Sequence, residues 1–249
     1  MKNKIIRIQN FILFALFSCL NPSNNEIDDN KLSDFLVLQD SLRAVENERI
    51  ESQKLLLSLN IQMIAIDEAN FAIGKYEVTQ KIWAAIMGEN PSEFECDDCP
   101  VTNVSWNDVQ SFIYSLNLKT GRSFRLPSES EWDFAFRGGK LDRGFRYSGS
   151  NQFGEVALKV NDLYGNNTVH NIYPVGLKKP NQLGIYDMTG NVAEWCSDWN
   201  IDWDNTLKRH GDYWENQREK IFKWRAGESM SDNINKRENC LGFRLAESR

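Results

Sequence analysis

Between Lys31 and Asn60 the chain has no Pro or Gly, and apolar residues fall at Phe35, Leu38, Leu42, Val45, Leu56 and Leu59. These alternating steps of three and four predict one long helix with a single apolar stripe, interrupted where Arg49 and Ser52 take its positions. The stripe suits two arrangements, a short coiled-coil stalk joining copies of the chain or a single amphipathic helix packed on the rest. Beyond residue 60 the pattern shortens. Phe71 to Val78 reads as a strand, followed by Thr79 as the N-cap of a helix over Gln80 to Met87 that Gly88 stops. Ser105 to Asp108 is a capping box with Asp in place of Glu, ahead of an apolar face at Val109, Phe112, Ile113 and Leu116, which Gly121 ends. Ser128 to Glu131 is a full capping box opening a third helix through Trp132 and Phe136, closed by Gly138 and Gly139. The remainder is loop-rich, with strand-like pieces near Asn171 to Val175 and Gly242 to Ala246. Without alternating strands and crossover helices, a doubly wound parallel sheet is not expected, and the class reads as α+β.

The N-terminus has a different texture. Lys2, Lys4 and Arg7 precede an apolar run from Phe11 to Phe17 that stops at Ser18-Cys19. This is the layout of a signal peptide over residues 1–19, and the run falls short of the roughly 20 apolar residues a membrane-spanning helix needs. Leu16-Phe17-Ser18-Cys19 resembles a bacterial lipobox, which makes Cys19 the expected lipidation site and implies an exported protein anchored to a membrane of the cell envelope. An ordinary secretory signal with an incidental cysteine is the alternative. Residues 20–60 then form a polar tether, acidic at Glu26, Asp28 and Asp29, and the helical stalk. Residues 61–249 form the head.

A net charge of -6 and a pI near 5.1 disfavour a nucleic-acid clamp, which depends on clustered Lys and Arg. Hydrophobic residues at 41% and aromatics at 12% supply a sizeable core and exclude global disorder. Five cysteines and two histidines leave little material for nitrogen- and sulfur-ligated metals. Cys96-Asp97-Asp98-Cys99 lacks the second ligand pair that zinc requires, and acidic neighbours raise a thiol's pKa. In an exported chain it reads as a small-loop disulfide. His170 and His210 have no acid or nucleophile at a recognisable spacing, so they are expected at the surface.

Five blocks then fall in an order that identifies a family. They are Gly74-Lys75-Tyr76-Glu77-Val78-Thr79, the run Pro100 to Trp106, the run Arg125 to Trp132, Gly184 through Trp195, and Gly242-Phe243-Arg244. The pattern resembles the formylglycine-generating enzyme, or sulfatase-modifying factor, family over about residues 68 to 249. The resemblance implies an irregular C-type lectin-like fold with little regular secondary structure, here preceded by the N-terminal helix. Trp132, Trp195 and Trp199 are expected to fill core space between loops.

The resemblance also implies sites. The family's calcium loop corresponds to Asp187, Gly190, Val192 and Glu194, the first and last through side chains and the middle two through carbonyls. Two acids around a Gly turn suit a hard cation that takes six to eight oxygens; the alternative is that Asp187 and Glu194 only accept hydrogen bonds within a turn. A second family calcium site would fall near Asn161-Asp162-Leu163, where no second half is found. The family's oxidase chemistry uses two thiols that bind copper(I), a soft ion suited to thiolates. Here the matching stretch runs from Arg225 to Leu241 and holds one cysteine, Cys240, beside Gly242. Copper is therefore not expected, and a catalytic pair is reduced to the weak candidates Cys240 and Cys196, which could instead form a second bridge. The segment Trp199 to Trp224 reads as an aromatic insertion over the binding face.

The reading is an exported, lipid-anchored, non-catalytic head that binds a protein or glycan ligand and holds a structural calcium. Homo-oligomerisation through the stalk is allowed, and no nucleic-acid partner is expected. The alternatives are a formylglycine-generating oxidase acting on a sulfatase cysteine and a structural subunit of an envelope assembly.

Overall fold

A computed structural model describes residues 29–157, 172–200, 206–210, 230–232 and 234–249. The chain divides into two compact units, Met1–Leu55 and Leu56–Arg249. The first is represented by most of helix α1, Asp29–Leu59. Its 31 residues rise about 46 Å at 1.5 Å each. Leu36, Val37 and Val45 are exposed on it, and Arg49, which breaks the apolar stripe, pairs with Glu46 at 3.5 Å. Such exposed i, i+3 pairs contribute only a few tenths of a kcal/mol. No helix among the described residues is long and apolar enough to cross a membrane.

The second unit contains strands β1 (Met63–Ile66) and β2 (Phe71–Gly74), helices α2 (Gln80–Met87) and α3 (Trp106–Thr120), β3 (Phe124–Arg125), α4 (Glu129–Arg137) and the single turn α5 (Phe153–Val156). These are followed by β4 (Ala193–Asn200), β5 (Thr206–His210), β6 (Met230–Asp232), β7 (Leu241–Gly242) and β8 (Ala246–Ser248). One sheet runs β1-β2-β8-β3, antiparallel throughout. The other runs β6-β5-β4-β7, with β7 parallel to β4. The result is a mixed, irregular fold of short elements joined by long loops.

Local chemistry sets the helices. Thr79 caps α2 by accepting from the Ile82 amide, Ser105 and Asp108 form a reciprocal box on α3, and Ser128 and Glu131 do the same on α4. Each helix ends on a glycine in the left-handed region, Gly88, Gly121 and Gly138, where a side chain would be strained. Packing then locks them together. Trp83 of α2 stacks on Phe112 of α3 with ring centroids 5.0 Å apart, and Phe243 meets both edge-on. Trp132 stacks on Phe136 within a second cluster that includes Ile73 and Met188. Trp132 and Trp195 are fully buried, as core residues should be.

Three expectations change. The strand from Phe71 ends at Gly74, where an added Cβ would sit 2.9 Å from the Tyr76 carbonyl, so the chain approaches itself too closely to continue regularly. The stretch Gly242 to Ala246 is two short strands in different sheets, broken at Phe243–Leu245. Residues 172–175 form no strand: the Tyr173 amide donates to the Asn191 side chain and the Val175 amide to the Asp98 carbonyl. The insertion begins at the end of β4, and its described residues Thr206–His210 form β5, which pairs antiparallel with β4.

Candidate functional site

The site is a buried ionic cluster assembled from four places in the sequence. Glu77 follows β2, Asp187 and Asn191 bracket a tight turn, Glu194 is the second residue of β4, and Arg244 lies in the break between β7 and β8. The turn is bent by three residues with positive φ, Asp187 at 58°, Gly190 at 82° and Asn191 at 61°. Asp and Asn tolerate this region better than other non-glycine residues. The parallel register Glu194↔Gly242 brings the residues just beyond β7 alongside β4.

Arg244 and Glu194 are both fully buried and form a bidentate pair: Nη2 donates to Oε1 and Nε to Oε2, each at 2.7 Å. Trp132 Nε1 also donates to Glu194 Oε2 at 2.8 Å. Two further guanidinium protons go to the Gly74 and Tyr186 carbonyls, both at 3.1 Å. Asp187 Oδ2 accepts from the Gly176 amide at 2.6 Å. Glu77 Oε2 accepts from Asn191 Nδ2 at 3.0 Å, while its Oε1 is buried without a hydrogen-bond partner.

Three carboxylates thus share one guanidinium. Burial, reinforced by the Asp187 and Glu194 charges, pushes the Glu77 carboxyl well above the usual range. Burial likewise pushes Asp187 up to about 6, against the Gly176 amide and Arg244, which favour its ionised form. Burial alone would lower the Arg244 pKa, but the Glu194 charge and hydrogen bonds hold it above its ordinary value.

The geometry bears on calcium directly. Asp187, Gly190 and Val192 lie on the tight turn, but Glu194 faces Arg244 and Trp132, and a guanidinium seated on a carboxylate repels a second cation there. Among the described residues no group of three or more His, Cys, Asp or Glu side chains is arranged to hold a metal. Asp187 accepts a backbone hydrogen bond, and Glu194 accepts from two side chains.

Cys96 and Cys99 are joined by a disulfide, with Cα atoms 5.3 Å apart. Cys196 and Cys240 stand outside it. Ala193 pairs with Leu241, and the Ala193 amide donates to the Cys240 carbonyl at 2.7 Å, so Cys240 lies level with Val192. Cys196 is four residues further along β4, about 13 Å at the usual strand rise. That exceeds the Cα separation a disulfide allows, so the two thiols neither bridge nor meet. Cys196 is fully buried, and burial, with Glu194 and Asp198 nearby, raises its thiol pKa strongly. Cys19, Asn161, Asp162 and His170 lie outside the described residues. Of His210 only the backbone, in β5, is described.

Sequence reasoning gave no role to Arg244, Glu77 or Asn191, although all three lie in the family blocks. A signal was present: Arg244 is the sole charge in the apolar run Leu241 to Ala246, and a buried cation requires an acid.

The fold and this cluster define a lectin-like head whose buried acids are gathered around Arg244. Residues 59–249 match the sulfatase-modifying factor enzyme 1-like domain, and the chain belongs to that family. The chain is 35% identical over 176 residues to the chaperone protein LppX of Paenibacillus barcinonensis, covering 53% of this chain and 63% of that one. It is 36% identical over 134 residues to the formylglycine-generating enzyme of Thermomonospora curvata, covering 50% and 42%. Among solved structures, Treponema denticola variable protein 1 superposes with a TM-score of 0.60 at 26% identity, covering 76% of this chain and 91% of the other. The chain spans less than two thirds of either of these two curated relatives.

Proposed function

We propose that the head is a non-catalytic binding domain, presented at the cell envelope by an exported chain that is lipidated at Cys19. One observation carries this reading. Copper-dependent formylglycine formation needs two thiolates on one ion; with Cys96 and Cys99 spent on a disulfide, Cys196 and Cys240 are offset by about 13 Å along paired strands. The raised pKa of Cys196 further removes its thiolate at neutral pH. A structural calcium on the loop of Asp187, Gly190, Val192 and Glu194 remains part of the proposal, with Arg244 as a further counter-charge to Glu194. The relative named a chaperone supports a polypeptide as the bound partner. The lipobox-like Leu16 to Cys19 supports the anchor.

Incubating the reduced, copper-loaded protein with a sulfatase-motif peptide and following the peptide by mass spectrometry tests the proposal. The expected result is no conversion of the peptide cysteine to the aldehyde. Conversion that disappears in Cys240→Ser overturns it.

A further inference from the structure

A cleft of about 180 Å³ opens between the residues leading into β1 and the start of α2. Leu59, Val78, Ile82, Val175 and Leu245 supply its apolar walls. Drug-sized ligands occupy clefts of about 300–1,000 Å³, whereas a cavity of about 150 Å³ holds one benzene molecule. The space therefore suits a single aliphatic or aromatic side chain.

Two charges of opposite sign, Lys81 and Asp98, stand on the same lining, and both are exposed. They leave neighbouring points of the backbone, because the Lys81 amide donates to the Asp97 carbonyl at 3.1 Å. Neither side chain has an ion pair or hydrogen bond with a described residue. Glu77 also borders the cleft, but at 2% exposed its carboxyl offers a ligand nothing. Lys81 is thus the one cation of the lining and Asp98 its one accessible acid.

The walls are fixed before a ligand arrives. The Val175 amide donates to the Asp98 carbonyl at 2.9 Å, the Gln80 amide donates to the Cys99 carbonyl at 2.8 Å, and the Cys96–Cys99 bridge closes the loop that carries Asp98. A site held in this way gives up little conformational freedom on binding.

The chemistry of the ligand follows from walls and charges together. A hydrocarbon leaves both charges unused. An anion meets Asp98 and the exposed acids Glu95 and Asp97 of the same loop, and a cation meets Lys81. A zwitterion with an apolar body uses all three features. In an α-amino acid the ammonium and the carboxylate leave one carbon, which matches two opposite charges on one rim, while the side chain is free to enter the cleft. We propose that this cleft binds a free apolar α-amino acid of about leucine size, its side chain among Leu59, Val78 and Leu245, its ammonium on Asp98 and its carboxylate on Lys81. This site is additional to the polypeptide partner of the head and does not depend on it.

The folded full-length protein is titrated calorimetrically with leucine, glycine, leucine amide and N-acetyl-leucine. Leucine is expected to saturate with a Kd of about 1 mM, within the range open to so small a ligand. Glycine, which lacks the apolar side chain, should bind at least about tenfold more weakly. Leucine amide and N-acetyl-leucine each lack one charge and should each lose about two- to fivefold, the contribution of an exposed ion pair. Lys81→Gln should weaken leucine by that factor and leave leucine amide unchanged. Asp98→Asn should weaken leucine likewise and leave N-acetyl-leucine unchanged, a pairing that a general loosening of the cleft does not produce. Both substitutions are of exposed side chains, so the fold is retained. No saturable heat with leucine at about twenty times the expected Kd, glycine binding as tightly as leucine, or either variant without effect on leucine overturns the proposal. Leucine amide binding as tightly as leucine overturns the free amino acid and assigns the cleft to the amino terminus of a polypeptide.

Discussion

Replacing Arg244 with Met is the most direct test of what holds the head together. The substitution keeps much of the side-chain volume and deletes four hydrogen bonds, two to Glu194 and one each to the Gly74 and Tyr186 carbonyls. Taking one partner from a buried ion pair costs about 3–5 kcal/mol, because the other charge is left desolvated. For a unit of this size each kcal/mol lowers Tm by about 2–4 °C, so a fall of about 6–20 °C is expected. The loss depends on pH. With the guanidinium gone, three carboxylates face one another, and Glu77 and Asp187, already raised by burial, are easier to protonate folded than unfolded. Groups with raised folded pKa values stabilise most at low pH and lose that contribution as pH rises. Arg244→Met should therefore be less damaging at pH 5 than at pH 7. Glu194→Gln removes the stranded charge yet keeps an amide oxygen for Trp132 Nε1. The double variant should recover at least about 1 kcal/mol relative to Arg244→Met, a coupling typical of contacting residues. Urea denaturation gives each value. A single-variant cost below about 1 kcal/mol, or a double variant no better than the single, would refute the reasoning.

Other outcomes follow from the same structure. Adding calcium to metal-stripped protein should raise Tm, because a ligand that binds only the native state stabilises it, and Glu194→Ala should remove most of the rise; an unchanged Tm would refute a metal in the loop. Asp187 has its folded pKa raised to about 6, so its contribution is present below the unfolded aspartate value near 4 and fades as pH rises to about 6; Asp187→Asn should flatten the stability profile across that window. Under native conditions iodoacetamide should leave Cys196 unmodified, its thiol being fully buried with a raised pKa, and peptide mapping should find it labelled only after unfolding. Ser105→Ala should cost about 1 kcal/mol in urea denaturation by removing one half of the reciprocal box on α3.

What the sequence made legible was local. Thr79, Ser105 and Ser128 announce helix starts, and Gly88, Gly121 and Gly138 announce their ends, because a cap is decided within four residues. The family blocks carried the fold further than any periodicity could, since elements of two to five residues leave little pattern to read. The site was half legible. Asp187 and Glu194 stood out by spacing, but Arg244 is 50 positions from Glu194 and Asn191 is 114 from Glu77, and pairing at such range is set by sheet topology. The same limit hid the offset between Cys196 and Cys240, which becomes visible only from the register of β7 on β4.

Strand β8 lies between β2 and β3, so residues 246–248 are the seam on which two earlier, otherwise unjoined strands close. Nothing synthesised before them can complete that sheet, and Arg244, two positions upstream, arrives at the same moment to quench the buried acids. The β1-β2-β8-β3 sheet therefore stays open until β8 is in place, and the strand that closes it follows directly on the residue that neutralises the core.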